Sequence, residues 1–158
     1  MGYSVIDIID KAMDIVIRRK DEYEKIKKEN NNNPAINVMT SVLLKESDKN
    51  IEYYKKLKQS IKDIELEDID FVIYDKMSFL INQFNKKTYI HNIRSVKDYL
   101  NFSIELERDA YSLIVDIQGR FVKNTSDVNT KTYKILSDII KSKYKHITEL
   151  EKVLKRKQ

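Results

Sequence analysis

An apolar stripe interrupted by one carboxylate dominates the sequence between residues 96 and 117. Apolar and small side chains recur there at steps of three and four, the period of a helix with one face against a core. The stripe consists of Val96, Leu100, Ser103, Glu107, Ala110, Ile114 and Ile117. An unpaired buried charge is costly, so Glu107 requires an ionic partner or a metal. The stripe therefore predicts a helical core with a polar site inside it.

The scarcity of turn-forming residues extends this prediction to the whole chain. The 158 residues include only two glycines and one proline, whereas a sheet protein with many tight turns usually needs more. We predict an all-α protein with a single domain over residues 1–158. Its four main helices span about 4–29, 34–59, 96–119 and 127–155 and form an antiparallel bundle. Residues 60–95 are a long crossover containing a short helix over about 68–84.

Two local signals set the predicted helix boundaries. Four asparagines at 30–33 form a loop, and Asn33 before Pro34 is a typical start for the second helix. Residues 124–127, Asn-Thr-Ser-Asp, are the cap signal for the fourth helix.

Composition also restricts the possible functions. The absence of cysteine excludes disulfides and thiolate metal sites, and no apolar run approaches the roughly 20 residues of a membrane span. Asp7, Asp10 and Asp14 interrupt the N-terminal apolar residues, so we expect no signal peptide and a cytoplasmic protein. The net charge is +5, but lysines are mixed with acids and no groove-reading motif occurs. We therefore expect neither a membrane nor a nucleic-acid partner.

Each of the other main helices also carries polar residues in its inner line. These are Arg19 in the first helix, Ser47 and Asn50 in the second, and Lys143 and His146 in the fourth. An offset of 88 aligns the first helix with the third and places Arg19 on Glu107. An offset of 96 aligns the second with the fourth and places Ser47 on Lys143 and Asn50 on His146. The sequence therefore predicts two helix pairs, with the polar residues of all four helices at the same level along the bundle axis.

One segment in each of the second, third and fourth main helices resembles a known protein family. Residues 104–111, Ile-Glu-Leu-Glu-Arg-Asp-Ala-Tyr, resemble the third helix of the rubrerythrin-like branch of the ferritin-like superfamily, with its Glu-x-x-Ala pattern at Glu107 and Ala110. Residues 144–154 resemble the fourth helix after its Glu-x-x-His motif, and residues 43–50 resemble the same region of the second helix more loosely. The resemblance implies a bundle that binds two iron ions through a glutamate from each of two helices and Glu-x-x-His from the others.

The family's ligand positions are occupied here by unusual residues. Carried over one by one, they are Arg19, Ser47, Asn50, Glu107, Lys143 and His146. Only Glu107 and His146 keep the family's ligand type, and a protonated arginine or lysine cannot ligate a metal. Two cations and one carboxylate, with the histidine neutral, leave a charge of +1. We therefore predict that the di-iron centre is lost, that no cofactor is bound, and that a buried ion cluster occupies its place.

Three functional hypotheses follow. The first is a vestigial, non-catalytic bundle that acts as a binding or scaffold module, with an unidentified protein or a second copy as partner. The second is an iron-dependent oxidoreductase of the peroxidase or oxidase type with relocated ligands, chosen from Glu46, Asp48, His91, Asp109 and Glu149. Without cysteines for a rubredoxin-type carrier it would need an outside reductant. The third is a small anion held by Arg19 and Lys143 if Glu107 turns away.

Overall fold

The computed structural model describes residues 2–87, 89 and 92–156 and shows an all-α protein there, as predicted. The five α-helices are α1 (Val5–Glu29), α2 (Pro34–Ile61), α3 (Phe71–Lys86), α4 (Val96–Gly119) and α5 (Lys131–Arg156). Within the described ranges the only β-type pairing outside helices is an isolated bridge between Tyr3 and Ile69. No helix of the described part is long and apolar enough to cross a membrane.

The boundaries of α1, α2 and α4 agree closely with the predicted ones. Asn33 caps α2 by accepting a hydrogen bond from the Ile36 amide at 3.3 Å, and Pro34 occupies the first turn. The connector helix α3 begins and ends later than the predicted 68–84. Asp70 sets its start, because the Asp70 carboxylate accepts from the Val72 amide at 2.8 Å.

The predicted start of the fourth main helix at residue 127 is wrong. Residues 124–127 instead introduce a short 3₁₀ helix, Thr125–Asn129, and α5 begins at Lys131. The Asp127 carboxylate accepts from the backbone amides of Lys123 at 2.7 Å and Asn124 at 2.9 Å. The amide of Asn124 and then that of Lys123 lower the pKa of Asp127. The cap signal was real, but it belongs to the 3₁₀ helix.

A carboxylate distant in sequence caps α5. One oxygen of Glu67 accepts from the Thr132 amide at 2.8 Å and the Thr132 hydroxyl at 2.9 Å, while the other accepts from the Lys131 amide at 3.1 Å. Burial raises the pKa of Glu67, but these hydrogen bonds together outweigh burial and hold the pKa below its usual value. Glu67 thus acts as an N-cap supplied from outside the local sequence.

We expect Glu67→Ala to lower the free energy of unfolding by about 1 kcal/mol, because it removes a helix cap. The folded-state pKa is depressed, so this stabilisation is present above the unfolded value and is lost as the pH falls through the folded value. Urea unfolding at neutral and acidic pH measures both effects. The control is Asp63→Ala, an exposed acid in the same connection. Equal losses in the two variants, or a difference independent of pH, would contradict the capping role.

The chain divides into two compact units. The N-terminal unit comprises Ile6–Glu65 and Asn92–Tyr99, and the C-terminal unit comprises Met1–Val5, Leu66–His91 and Leu100–Gln158. The first therefore contains nearly all of α1 and α2, and the second contains α3, α5 and most of α4. The prediction of one domain over 1–158 stays a prediction.

Within the N-terminal unit, the polar contact that comes earlier along α1 comes later along α2. Lys58 on α2 binds Asp10 near the start of α1 at 2.5 Å, and Lys20 on α1 binds Asp48 in the middle of α2 at 2.6 Å. The buried residues include Ile8, Ile9, Val16, Ile26, Ile36, Leu43 and Tyr54. The hydroxyls of Thr40 and Tyr99, both fully buried, lie 2.8 Å apart. Burial raises the pKa of Tyr99 to about 12.

Within the C-terminal unit, contacts between α4 and α5 also run in opposite orders. Arg108 on α4 binds Glu151 near the end of α5 at 2.8 Å, whereas Gln118 binds the Ser137 hydroxyl near the start of α5 at 2.7 Å. The N-terminal segment joins this unit through Tyr3, whose ring stacks on that of Tyr74 with a centroid distance of 3.5 Å. The core residues include Met77, Leu100, Ala110, Ile117, Leu136 and Ile139.

A buried polar cluster as the candidate functional site

Glu107 lies within the apolar face of α4, as the stripe predicts. Only 2% of its surface is exposed, and its neighbours one turn away on the same face, Ser103 and Ala110, are buried as well. Residues three and four apart share one face of a helix, so Glu107 is buried together with the face that packs against the core. Arg108, next in sequence, points to the exposed side and binds Glu151. The sequence thus places a carboxylate inside the core while its neighbour stays at the surface.

Two residues of α5 approach the same oxygen of Glu107. The Lys143 ammonium lies 3.8 Å from Oε2, and Nδ1 of His146 lies 3.3 Å from it. Lys143 is only 4% exposed, whereas the His146 side chain is 24% exposed. Lys143 and His146 are three residues apart, so they project from one face of α5 toward one point. We call Glu107, Lys143 and His146 the buried triad.

The chemistry of the buried triad is that of an ion pair with an added hydrogen bond. An ionised carboxylate only accepts hydrogen bonds, so Nδ1 of His146 donates to Glu107 and carries the proton. Lys143 supplies the opposite charge that makes burial of Glu107 tolerable. Such a pair need not stabilise the fold relative to apolar residues, but removing one partner leaves an uncompensated charge.

The other three predicted cluster residues belong to the N-terminal unit. Arg19 is 6% exposed, although its position is next to the surface residue Lys20. Ser47 is 7% exposed and donates to the Leu43 carbonyl at 2.9 Å. The Lys20–Asp48 contact places Arg19 and Ser47 at a similar height along α1 and α2. Asn50 is only partly buried. The joining of all six residues into one cluster stays a prediction, while three of them form the buried triad.

The buried triad does not fit the di-iron centre that the family resemblance implies. That centre needs four carboxylates and two imidazoles, whereas the triad offers one of each. The positive charge of Lys143 beside Glu107 also opposes the approach of a metal cation to that carboxylate. Within residues 2–87, 89 and 92–156, no group of three or more His, Asp or Glu side chains is arranged to hold a metal ion.

Three of the four acids considered as relocated ligands bind lysines. Asp48 binds Lys20 at 2.6 Å, and Glu46 lies 3.4 Å from Lys49. Asp109 accepts hydrogen bonds from Lys87 at 2.5 Å and from the Tyr89 hydroxyl at 2.7 Å. Glu149 is exposed, and His91 lies outside the described residues. Asp48, Glu46 and Asp109 are thus engaged with lysine or tyrosine side chains, an arrangement typical of surface ion pairs.

A second polar feature was not predicted from the sequence. A cavity of about 240 Å³ in the C-terminal unit is lined by Asp70, Val72, Ile73, Lys76, Arg120 and Lys123. We call it the α3 cavity. Its residues come from the start of α3 and from the segment after α4, which are far apart in sequence. Single-helix periodicity cannot reveal such a juxtaposition.

Comparisons with known proteins yield no relative. No family model matches the chain, and no curated protein and no solved structure matches it either.

Proposed function

We propose that the protein is a ferritin-like bundle of the rubrerythrin-like type in which a buried ion cluster has replaced the di-iron centre, and that it acts as a binding or scaffold module. The observation that carries this proposal is the Lys143 ammonium 3.8 Å from Glu107 at a position where the family has a carboxylate ligand. A lysine at this position neutralises the carboxylate that would otherwise attract a metal.

The opposite contact orders of α1 with α2 and of α4 with α5 support an antiparallel four-helix bundle. In each unit, two long helices are joined by one polar contact near the end of a helix and by another near the middle of a helix. The connector between α2 and α4, which contains α3, has the length that a bundle with one long crossover requires. The offsets of 88 and 96 then relate the two helix pairs as repeats.

The residues of the buried triad favour a structural role over catalysis. Glu107 is buried and held by Lys143 and His146, so it is poorly placed to accept a proton from a substrate. The chain also lacks cysteine, which removes thiol nucleophiles and thiol redox chemistry. A protein of this kind functions through the surface that it presents, with a second copy or another protein as partner.

We expect ferrous iron to leave the melting temperature unchanged. A ligand that binds only the folded state at 100 times its Kd would add about 2.7 kcal/mol of stability, which is several degrees for a chain of this length. Thermal unfolding under anaerobic conditions, with and without ferrous iron, makes the comparison. An iron-dependent rise that disappears in both Glu107→Ala and His146→Ala would overturn the proposal and restore a metal centre at the buried triad.

A further inference from the structure

The α3 cavity combines an aliphatic wall with a basic rim. Val72 and Ile73 supply the apolar lining, and Lys76, Arg120 and Lys123 supply three cations. Among the described residues of the lining, Asp70 is the only acid, and one of its oxygens is already bound by the Val72 amide. The cavity is therefore electropositive beside an apolar surface, which suits a ligand that carries both a negative charge and an apolar group.

Two further acids lie near the cavity without lining it. Asp116 is 3.5 Å from the Arg120 side chain, one turn earlier on α4. Asp127 has one oxygen bound by the amides of Lys123 and Asn124. The exposed Asp116–Arg120 pair is weak, and Asp127 is engaged with backbone amides, so Arg120 and the Lys123 side chain can bind another anion. Within one helical turn of Lys76 along α3, the one acidic residue is Asp75, its direct neighbour in sequence.

The apolar surface continues from the cavity along α3. Val72, Lys76 and Phe79 follow at steps of four and three and so share one helix face. Val72 is 58% exposed and Phe79 is 61% exposed, and Phe71 beside them is 67% exposed. Exposed large apolar side chains grouped with cations on one face are typical of an interaction surface. We call this face, together with the α3 cavity, the α3 surface.

From these observations we infer that the α3 surface binds an acidic amphipathic segment of another protein, with an apolar side chain in the cavity and carboxylates against Lys76, Arg120 and Lys123. This inference names a partner for the binding role proposed above. A second copy bound face to face through the same surface would place like charges together, which is unfavourable. Single-stranded nucleic acid could stack bases on the exposed rings of Phe71 and Phe79. The cavity itself is lined by the aliphatic side chains of Val72 and Ile73, which favour an apolar peptide side chain over a base.

A peptide titration tests this inference. The probe is a fluorescein-labelled synthetic peptide with leucines on one helical face and glutamates flanking them, followed by anisotropy at low and high salt. The comparison peptide has glutamine in place of every glutamate. We expect the acidic peptide to bind, and the glutamine peptide to bind roughly tenfold or more weakly.

Variants of the protein locate the binding. The test variant is Lys76→Glu combined with Lys123→Glu, and we expect it to bind the acidic peptide roughly tenfold or more weakly. The matched control is Lys145→Glu combined with Lys152→Glu, which changes the net charge equally at exposed positions of α5. We expect the control to bind nearly as the wild type does, and circular dichroism checks that all variants stay helical.

Three outcomes would overturn the inference. They are no binding of the acidic peptide, equal loss of binding in the test and control variants, and tighter binding of a single-stranded oligothymidylate than of the peptide. None of these outcomes depends on iron. Failure of this inference is therefore distinguishable from failure of the proposed loss of the di-iron centre.

Discussion

Glu107→Ala is expected to lower the free energy of unfolding by about 3–5 kcal/mol, because it removes the carboxylate 3.8 Å from the buried Lys143 ammonium. Both side chains are almost fully buried, at 2% and 4% exposure, so water cannot replace the lost partner without opening the core. For a chain of this length the loss corresponds to roughly 6–20 °C in melting temperature. Urea unfolding followed by circular dichroism measures it, provided that the m-value is unchanged.

The matched control for this experiment is the next residue along α4. Arg108 binds Glu151 on the same partner helix, α5, but the Arg108 side chain is 61% exposed. Arg108→Ala should therefore change stability by no more than about 1 kcal/mol. If the two substitutions destabilise the protein equally, burial of the triad does not control its contribution, and the account of Glu107 is wrong.

The second large effect is expected at Lys143, and it is reversible by a second substitution. Lys143→Met alone removes the cation 3.8 Å from the buried Glu107 carboxylate and should also lower the free energy of unfolding by about 3–5 kcal/mol. The double variant Glu107→Leu with Lys143→Met replaces both charges by apolar side chains of similar size. We expect it to be more stable than either single variant, because neither charge then remains buried alone.

A double-mutant cycle of the wild type, Glu107→Leu, Lys143→Met and the double variant gives the coupling between Glu107 and Lys143. Coupling of residues in contact usually lies at about 0.5–3 kcal/mol, and we expect this buried pair at the upper end of that range or beyond. Additive losses would show that the two side chains do not interact in solution. That result would contradict the ion pair seen between Lys143 and Glu107.

Sequence periodicity predicted the helix that carries the site very well. The predicted span 96–119 coincides with α4, Val96–Gly119, because a long apolar stripe at helical spacing admits few alternatives. The same reasoning singled out Glu107, Lys143 and His146, since each interrupts an apolar face. The structure brings these three together on α4 and α5.

The start of α5 was mispredicted for a physical reason. The cap signal at residues 124–127 predicts the start of a long helix, but in the structure it serves the 3₁₀ helix Thr125–Asn129. The group that caps α5 is Glu67, which is 64 and 65 residues away from the amides that it binds. No local pattern identifies a cap supplied from such a distance.

The α3 cavity escaped prediction for a related reason. The apolar residues at the start of α3 have helical spacing, which predicts an amphipathic helix but not which of its residues are buried. In the structure Val72 is largely exposed and Ile73 partly so, while Met77 and Ile81 are the buried residues of α3. Which face of a short helix is buried depends on its neighbours, and the sequence of the helix alone does not contain that information.

The most direct test of the central claim is the iron content of the protein after anaerobic incubation with ferrous iron and removal of unbound metal. Elemental analysis of the wild type, Glu107→Ala and His146→Ala should show no bound iron in any of them, with the wild type fully helical. That result would agree with a helical protein that the buried triad and the apolar core hold together without a metal. About two iron ions per chain in the wild type, lost in both variants, would contradict the account and identify a di-iron protein with unconventional ligands.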